Sequence, residues 1–296
     1  MVAHSTTQCR VAACVVFITF VLGSCAVKKG SAVDLRQELK VTWAPINVRF
    51  EDGGEALQLV LENTTGGAGF ASKNYYLLGN IDMQIKLVPG DSAGTVTAYY
   101  MSSETSNHDE LDFEFLGNSS GEPYVLQTNV FSNGVGEREQ RILLWFDPTT
   151  DFHTYSIRWS EERILFLVDG TPIRVFSNNK DVGVPYLDSQ PMRVFSSIWN
   201  GDSWATRGGL VKIDWSQGPF IASYRAFKTL DSACAATSSA ACAAQITSTD
   251  GIRGGPAAQR LDSAKLDWVK RNFMVYDYCT DEKRYPAPPP ECSQQL

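Results

Sequence analysis

The sequence predicts an all-β protein, a two-layer antiparallel sandwich of jelly-roll type. Three observations carry that reading. Ten short β-like runs follow one another between residues 81 and 227. No helical pattern separates them. The run "ELDFEFLG" at 110–117 alternates strictly, with Leu111, Phe113 and Phe115 in one phase and Glu110, Asp112 and Glu114 in the other. A period of two is that of a strand with one face in an apolar core. At 296 residues and 43% hydrophobic content, the chain is long enough to bury a sizeable core.

Taken in order, the chain opens on "CRVAACVVFITFVLGSCA", in which Arg10 precedes an apolar run from Val11 to Leu22 and the small residues Ser24, Cys25 and Ala26. This reads as a secretory signal cleaved after Ala26; a signal anchor is the alternative, disfavoured by the shortness of the run. The strand-like runs are "IDMQIKLV", "TVTAYYMSS", "ELDFEFLG", "YVLQTNVFS", "QRILLWFD", "HTYSIRWS", "RILFLVDG", "PIRVFSN", "MRVFSSIW" and "PFIASYRAF". Asp169-Gly170 between two of them signals a hairpin. After Leu230 the chain turns rich in Ser, Ala, Thr and Gly, which predicts a loop to about residue 260, pinned by a disulfide. Leu261, Ala264, Lys265 and Trp268 then recur at helical spacing and predict one amphipathic helix. "MVYDY" predicts a final strand, and the prolines of "RYPAPPPEC" exclude regular structure. The expected division is therefore a signal at 1–26, a jelly-roll domain at 27–228 and a disulfide-bonded helix-plus-strand extension at 229–296.

Loss of residues 1–26 removes three of the seven cysteines, Cys9, Cys14 and Cys25. Four remain, an even number that reads as two disulfides in an exported chain. The short separations favour Cys234–Cys242 and Cys279–Cys292; a zinc site is the alternative, but close cysteine pairs are missing. The same cleavage removes one charge, Arg10, and takes the formal net charge from −7 to −8. Such a surface argues against a nucleic-acid partner. Two sequons, at Asn63 and Asn118, fall in polar, turn-like stretches and offer glycosylation sites.

The acidic phase of residues 107–117 asks for an explanation. His108, Glu110, Asp112 and Glu114 share one strand face and no cation is interleaved to relieve their repulsion. A solvated outer stripe is one reading; a functional cleft is the other, favoured because a chain that tolerates this cost uses it. The chemistry that needs neighbouring carboxyls in different protonation states is glycoside hydrolysis, with one nucleophile and one acid/base. On a regular strand the Cα atoms of Glu110 and Glu114 stand about 13 Å apart, whereas retaining enzymes hold their carboxyl groups about 5–5.5 Å apart. The two long side chains must therefore lean together over a curved sheet, with the short Asp112 low between them.

"HDELDFEFLG" resembles the signature of the xyloglucan endotransglucosylase/hydrolases, a branch of the family-16 retaining glycoside hydrolases with a concanavalin-like jelly-roll fold. The likeness covers nearly all of the mature chain, through "SKNYYLLG", "REQRILLWFDPTTDFHTYSIRW", "IWNGDSWATRGG" and "YDYCTDEKRYPAPPPEC". It implies that Glu110 is the nucleophile, Glu114 the general acid/base and Asp112 the residue that orients and tunes Glu110. His108 borders the site, and Tyr100, Gln127, Asn129, Trp199 and Trp204 line the sugar cleft. The physics agrees, since amides hydrogen-bond hydroxyls and flat indoles cover the apolar face of a pyranose ring. For the two tryptophans, burial in the core is the competing reading. The resemblance also implies an N-glycan on Asn118. Tyr75 stands where the family usually has Glu, and Leu78 where it has Phe; both departures bear on donor subsites and leave the catalytic trio intact.

The expected activity is endo-cleavage of the β-1,4-glucan backbone of xyloglucan and transfer of the glycosyl-enzyme to a second chain, in cell wall construction. Predominantly hydrolytic relatives carry an insertion in the loop corresponding to "VFSNGVGEREQ", which is short here, so transfer is favoured over hydrolysis. A non-catalytic lectin on the same sandwich is the rival from another class, but a strand-borne Glu-x-Asp-x-Glu set has no use in one. No repeat supports a structural wall protein. No metal or cofactor is expected. The partners expected are xyloglucan donor and acceptor chains, acted on by a secreted monomer in the apoplast, free of the membrane once the signal is cleaved.

Overall fold

Two large antiparallel sheets pack face to face in a computed structural model that describes residues 33–230, 232, 234–248 and 260–294. Residues 1–26, predicted as a signal, lie outside the described residues. The front sheet has eight strands in the order β1 (Leu39–Trp43), β4 (Ala68–Ser72), β14 (Arg193–Asn200), β7 (Thr95–Ser102), β8 (Glu110–Leu116), β9 (Val125–Phe131), β10 (Gln140–Leu143) and β17 (Met274–Asp277). The back sheet has seven, in the order β13 (Thr171–Ser177), β12 (Arg163–Val168), β11 (His153–Trp159), β6 (Gly79–Lys86), β15 (Phe220–Leu230), β3 (Ala56–Leu61) and β2 (Val48–Glu51). A short ladder joins β5 (Tyr75–Leu77) to β16 (Cys234–Ala236).

The apolar phase of β8 does what the alternation required. Leu111, Phe113 and Phe115 are fully buried, and they meet the back sheet edge-on: Phe113 lies 5.2 Å from Phe166 of β12 and Phe115 4.6 Å from Tyr155 of β11, centroid to centroid. Each such side chain contributes about 1.5–3 kcal/mol by leaving water. That packing forces the acidic phase to the other face of the front sheet.

All ten predicted runs are strands, β6 to β15, and "MVYDY" supplies β17. At the hairpin, Asp169 (φ 48°) and Gly170 (φ 73°) are both left-handed, the geometry that a two-residue turn matched to strand twist demands. The five strands before residue 79 escaped the pattern. β4 is buried on both faces and sets only Phe70 among small residues, so it shows no alternation; a side chain at Gly69 would collide with the Trp43 indole.

The C-terminal part differs from expectation in three places. The stretch predicted as loop forms β16 and a helix, α2 (Ser239–Ser248), bridged by Cys234–Cys242; residues 249–259 lie outside the described residues. Its alanines permit a helix that no apolar stripe announces. The predicted amphipathic helix exists as the next one, α3 (Ser263–Phe273), capped by Asp262, whose carboxylate accepts from the Lys265 N–H at 3.1 Å. Its buried face is Leu266 and Val269, however; Ala264 and Lys265 are exposed, and Trp268, partly exposed, packs against Trp145 at 5.4 Å. A spacing argument alone does not say which of two stripes docks. A single 3₁₀ turn, Pro290–Gln294, follows the proline run, since proline suits a first helical turn. Cys279 and Cys292 are bridged, Cα atoms 5.5 Å apart. β15 runs through the 228/229 boundary, and β17 hydrogen-bonds to β10, so the extension continues the sheets of the sandwich.

Candidate active site

The cross-strand register assembles the site. Across β8, Ser102 of β7 and Phe131 of β9 flank Glu110, Tyr100 and Asn129 flank Asp112, and Ala98 and Gln127 flank Glu114. One further strand out on each side, Phe195 and Ser197 of β14 and Arg141 of β10 continue the rows. Directly opposed residues on one face sit within side-chain reach. The result is a cleft of about 420 Å³, lined by Tyr100, Glu110, Asp112, Glu114, Gln127 and Asn129, with Trp199 and Trp204 at one side. Another cavity of about 440 Å³, beside Asn118, Trp145 and Asp147, has no paired carboxyls on one strand.

Burial and mutual charge set the protonation states. Asp112 is 6% exposed; desolvation first, then the charges of Glu110 and Glu114, push its carboxyl well above the usual aspartate range, and it is hydrogen-bonded to Glu110. When protonated, Asp112 donates to Glu110. Glu110 is also raised, by burial, while Ser102, His108 and Asp112 act to keep it ionised. Glu114 is raised by burial and by the charges of Glu110 and Glu139; Gln127 and Arg141 oppose the rise. Both glutamates are raised by burial and each has partners that oppose the rise; retaining glycoside chemistry uses one such carboxyl as an anion and a second as an acid.

His108 does not line the cleft; it stacks on Phe131 at 5.2 Å and places Nε2 3.8 Å from Glu110 Oε2. Tyr100 stacks on Phe195 at 5.1 Å, and burial pushes its hydroxyl up to about 12. Trp199 and Trp204 are half-buried with ring centroids 6.0 Å apart, at the cleft and not in the main core. The Asn129 carbonyl accepts from the Val130 and Arg138 backbone N–H groups, leaving its NH₂ end for the cleft. Asn118 follows β8 outside the cleft and donates to the Pro123 carbonyl at 3.0 Å. The Tyr75 hydroxyl donates to Glu104 at 2.7 Å, with the Arg193 guanidinium 5.1 Å from its ring. Leu78 is fully buried and does not reach the cleft.

Sequence reasoning missed Ser102, Phe131, Glu139, Arg141 and Ser197. Glu139 and Arg141 alternate with Gln140 and Ile142 in "REQRI", so their shared face was readable; that this face joined Glu114 was not. Beneath the trio, fully buried Arg174 of β13 crosses the core and donates to the Thr128 carbonyl at 2.9 Å. Its charge partly offsets that of Asp112.

A cleft with a carboxyl trio on one strand of a jelly roll, the central aspartate buried and the glutamates half-buried, defines a retaining glycan-processing enzyme. Comparison with known proteins agrees: residues 35–217 match the glycosyl hydrolases family 16 and residues 257–292 match the xyloglucan endo-transglycosylase (XET) C-terminus. The chain is 52% identical over 274 residues to xyloglucan endotransglucosylase protein 34 of Populus tremula x Populus tremuloides, covering 91% of each chain. It is 53% identical over 261 residues to xyloglucan endotransglucosylase/hydrolase protein 15 of Arabidopsis thaliana, covering 87% of this chain and 89% of that one. Among solved structures, the Bacillus licheniformis β-glucanase superposes with a TM-score of 0.50 at 25% identity, covering 65% of this chain and 86% of that one. The protein belongs to the xyloglucan endotransglucosylase/hydrolases of glycosyl hydrolase family 16.

Proposed function

We propose that this protein cuts the β-1,4-glucan backbone of xyloglucan internally, with retention, and joins the cut chain to a second xyloglucan chain during cell wall remodelling. The observation that carries the reading is the cleft trio, in which Asp112, its carboxyl raised by burial and by its neighbours' charges, sits between two glutamates. In the first step a Glu110 carboxylate oxygen bonds to the anomeric carbon as the glycosidic C–O bond breaks, and the proton of Glu114 goes to the departing oxygen. In the second, a 4-hydroxyl of the acceptor sugar attacks the same carbon, Glu110 leaves, and Glu114 takes the hydroxyl proton. Asp112, donating to Glu110, holds its orientation and stabilises it as nucleophile and leaving group. Gln127 and Asn129 bind sugar hydroxyls, Trp199, Trp204 and Tyr100 cover ring faces, and His108 borders the donor-side carboxyl.

Transfer is favoured over hydrolysis by the short loop corresponding to "VFSNGVGEREQ", which begins with a turn in which Ser132 and Val135 pair through both backbone hydrogen bonds. Xyloglucan incubated with a labelled xyloglucan oligosaccharide tests this. Label in long polymer supports transfer; unlabelled polymer with new reducing ends overturns it. We read the protein as a secreted, N-glycosylated monomer of the apoplast. The two bridged cysteine pairs, the Asn118 sequon and the apolar N-terminal run support export.

A further inference from the structure

We propose that Arg141 is a positioning residue for the acid/base, acting through Gln127 and held in place by Tyr276 of the C-terminal extension. The inference rests on the reading of Glu114 as acid/base. Four side chains form one row across four strands: Glu114 of β8 is opposite Gln127 of β9, Gln127 opposite Arg141 of β10, and Arg141 opposite Tyr276 of β17. The row is bonded in one direction. Arg141 Nε donates to Gln127 Oε1 at 2.6 Å, and Gln127 Nε2 donates to Glu114 Oε2 at 2.5 Å. The Arg141 guanidinium lies 5.3 Å from the centroid of Tyr276, whose hydroxyl donates to Asp281 at 3.0 Å.

An amide has two unlike ends, and a buried one is costly when turned the wrong way. Arginine carries donors only, so it captures the carbonyl end of Gln127 and points the NH₂ end at Glu114. With an N–H on Oε2, the proton that Glu114 gives and takes is carried by Oε1. The relay thus selects the reacting oxygen and holds the carboxyl still. It also explains why a strand from the extension lies against β10: Tyr276 covers the cation whose edge fixes the amide.

The charged groups facing Glu114 are Glu110 and Asp112 on its own strand, Arg141 on β10 and Glu139 just before it, with Gln127 the polar neighbour from β9. Arg141 is the cation among those that oppose protonation. In Arg141→Met, burial, Glu110 and Glu139 remain while that opposition is lost, so the alkaline limb of the pH profile moves up, by about one unit. With the labelled-acceptor assay, kcat falls about 10- to 100-fold as the carboxyl loses its hold, and acceptor KM stays within about twofold. Arg141→Lys keeps the charge without the planar edge; it restores the limb but not kcat. A raised acceptor KM with kcat and the limb unchanged makes Arg141 a sugar-binding residue and overturns the proposal. If Arg141→Met does not accumulate folded, Tyr276→Leu carries the test: lowered kcat supports the relay and wild-type kcat overturns it. Glu114→Ala, assayed with an aryl-activated donor, separates the underlying reading. Acceleration by azide supports Glu114 as acid/base, whereas full activity without azide removes that reading and the relay with it.

Discussion

At the scale of single residues, the site spends folding stability on chemistry. Glu110, Asp112 and Glu114 all have carboxyls raised by burial. A raised carboxyl is easier to protonate in the folded chain than in the unfolded one. Its favourable contribution is therefore complete below the unfolded value and is lost as pH rises through the folded value. Thermal unfolding followed against pH is expected to show stability declining from the acid side, and Asp112→Asn, which removes the most strongly raised group, flattens the decline. The same variant keeps an N–H to donate to Glu110, so Asp112→Asn retains more activity than Asp112→Ala; equal loss in the two removes the donor role. Glu110→Ala is expected to lower turnover by more than about 10⁴-fold with an unchanged far-UV circular dichroism spectrum. Retained activity would refute the nucleophile assignment.

At the scale of elements, the strands explain why so few residues do so much. Strict alternation in β8 puts three aliphatic and aromatic side chains into the core, and that packing orients three carboxyls the other way. In α3 the docking face is Leu266 and Val269. Leu266→Ala is expected to cost about 2–4 kcal/mol in urea denaturation, whereas Lys265→Ala, on the exposed side, stays within about 0.5 kcal/mol. A reversed order would restore the stripe that spacing first suggested. The helix face was illegible because polar and apolar residues mix on both sides, and only the sheet it packs on decides between them.

At the scale of the molecule, the extension is tied into the catalytic sheet. Glu291, 3% exposed, pairs with Arg138 at 2.6 Å, and the Arg138 backbone N–H is the one Asn129 accepts. Arg284 pairs with Glu139 at 2.6 Å. Cys292 is the neighbour of Glu291, so the Cys279–Cys292 bridge anchors this contact. Replacing both cysteines with serine is expected to lower stability by about 2–5 kcal/mol, seen as a fall in Tm; an unchanged Tm would show that the extension is held by its contacts alone.

The sequence by itself determined the strands from β6 to β15, the outward acidic face of β8, the amide pair and both cysteine pairings. Those are local properties, written in a period of two, in residue chemistry and in short separations along the chain. Tertiary structure alone decided which far-apart residues became neighbours. It set Arg141 beside Gln127, brought Tyr276 over Arg141 from more than a hundred positions away, and ran Arg174 beneath the trio. Strand order and register, which long-range packing of the two sheets selects, are not encoded in any local pattern.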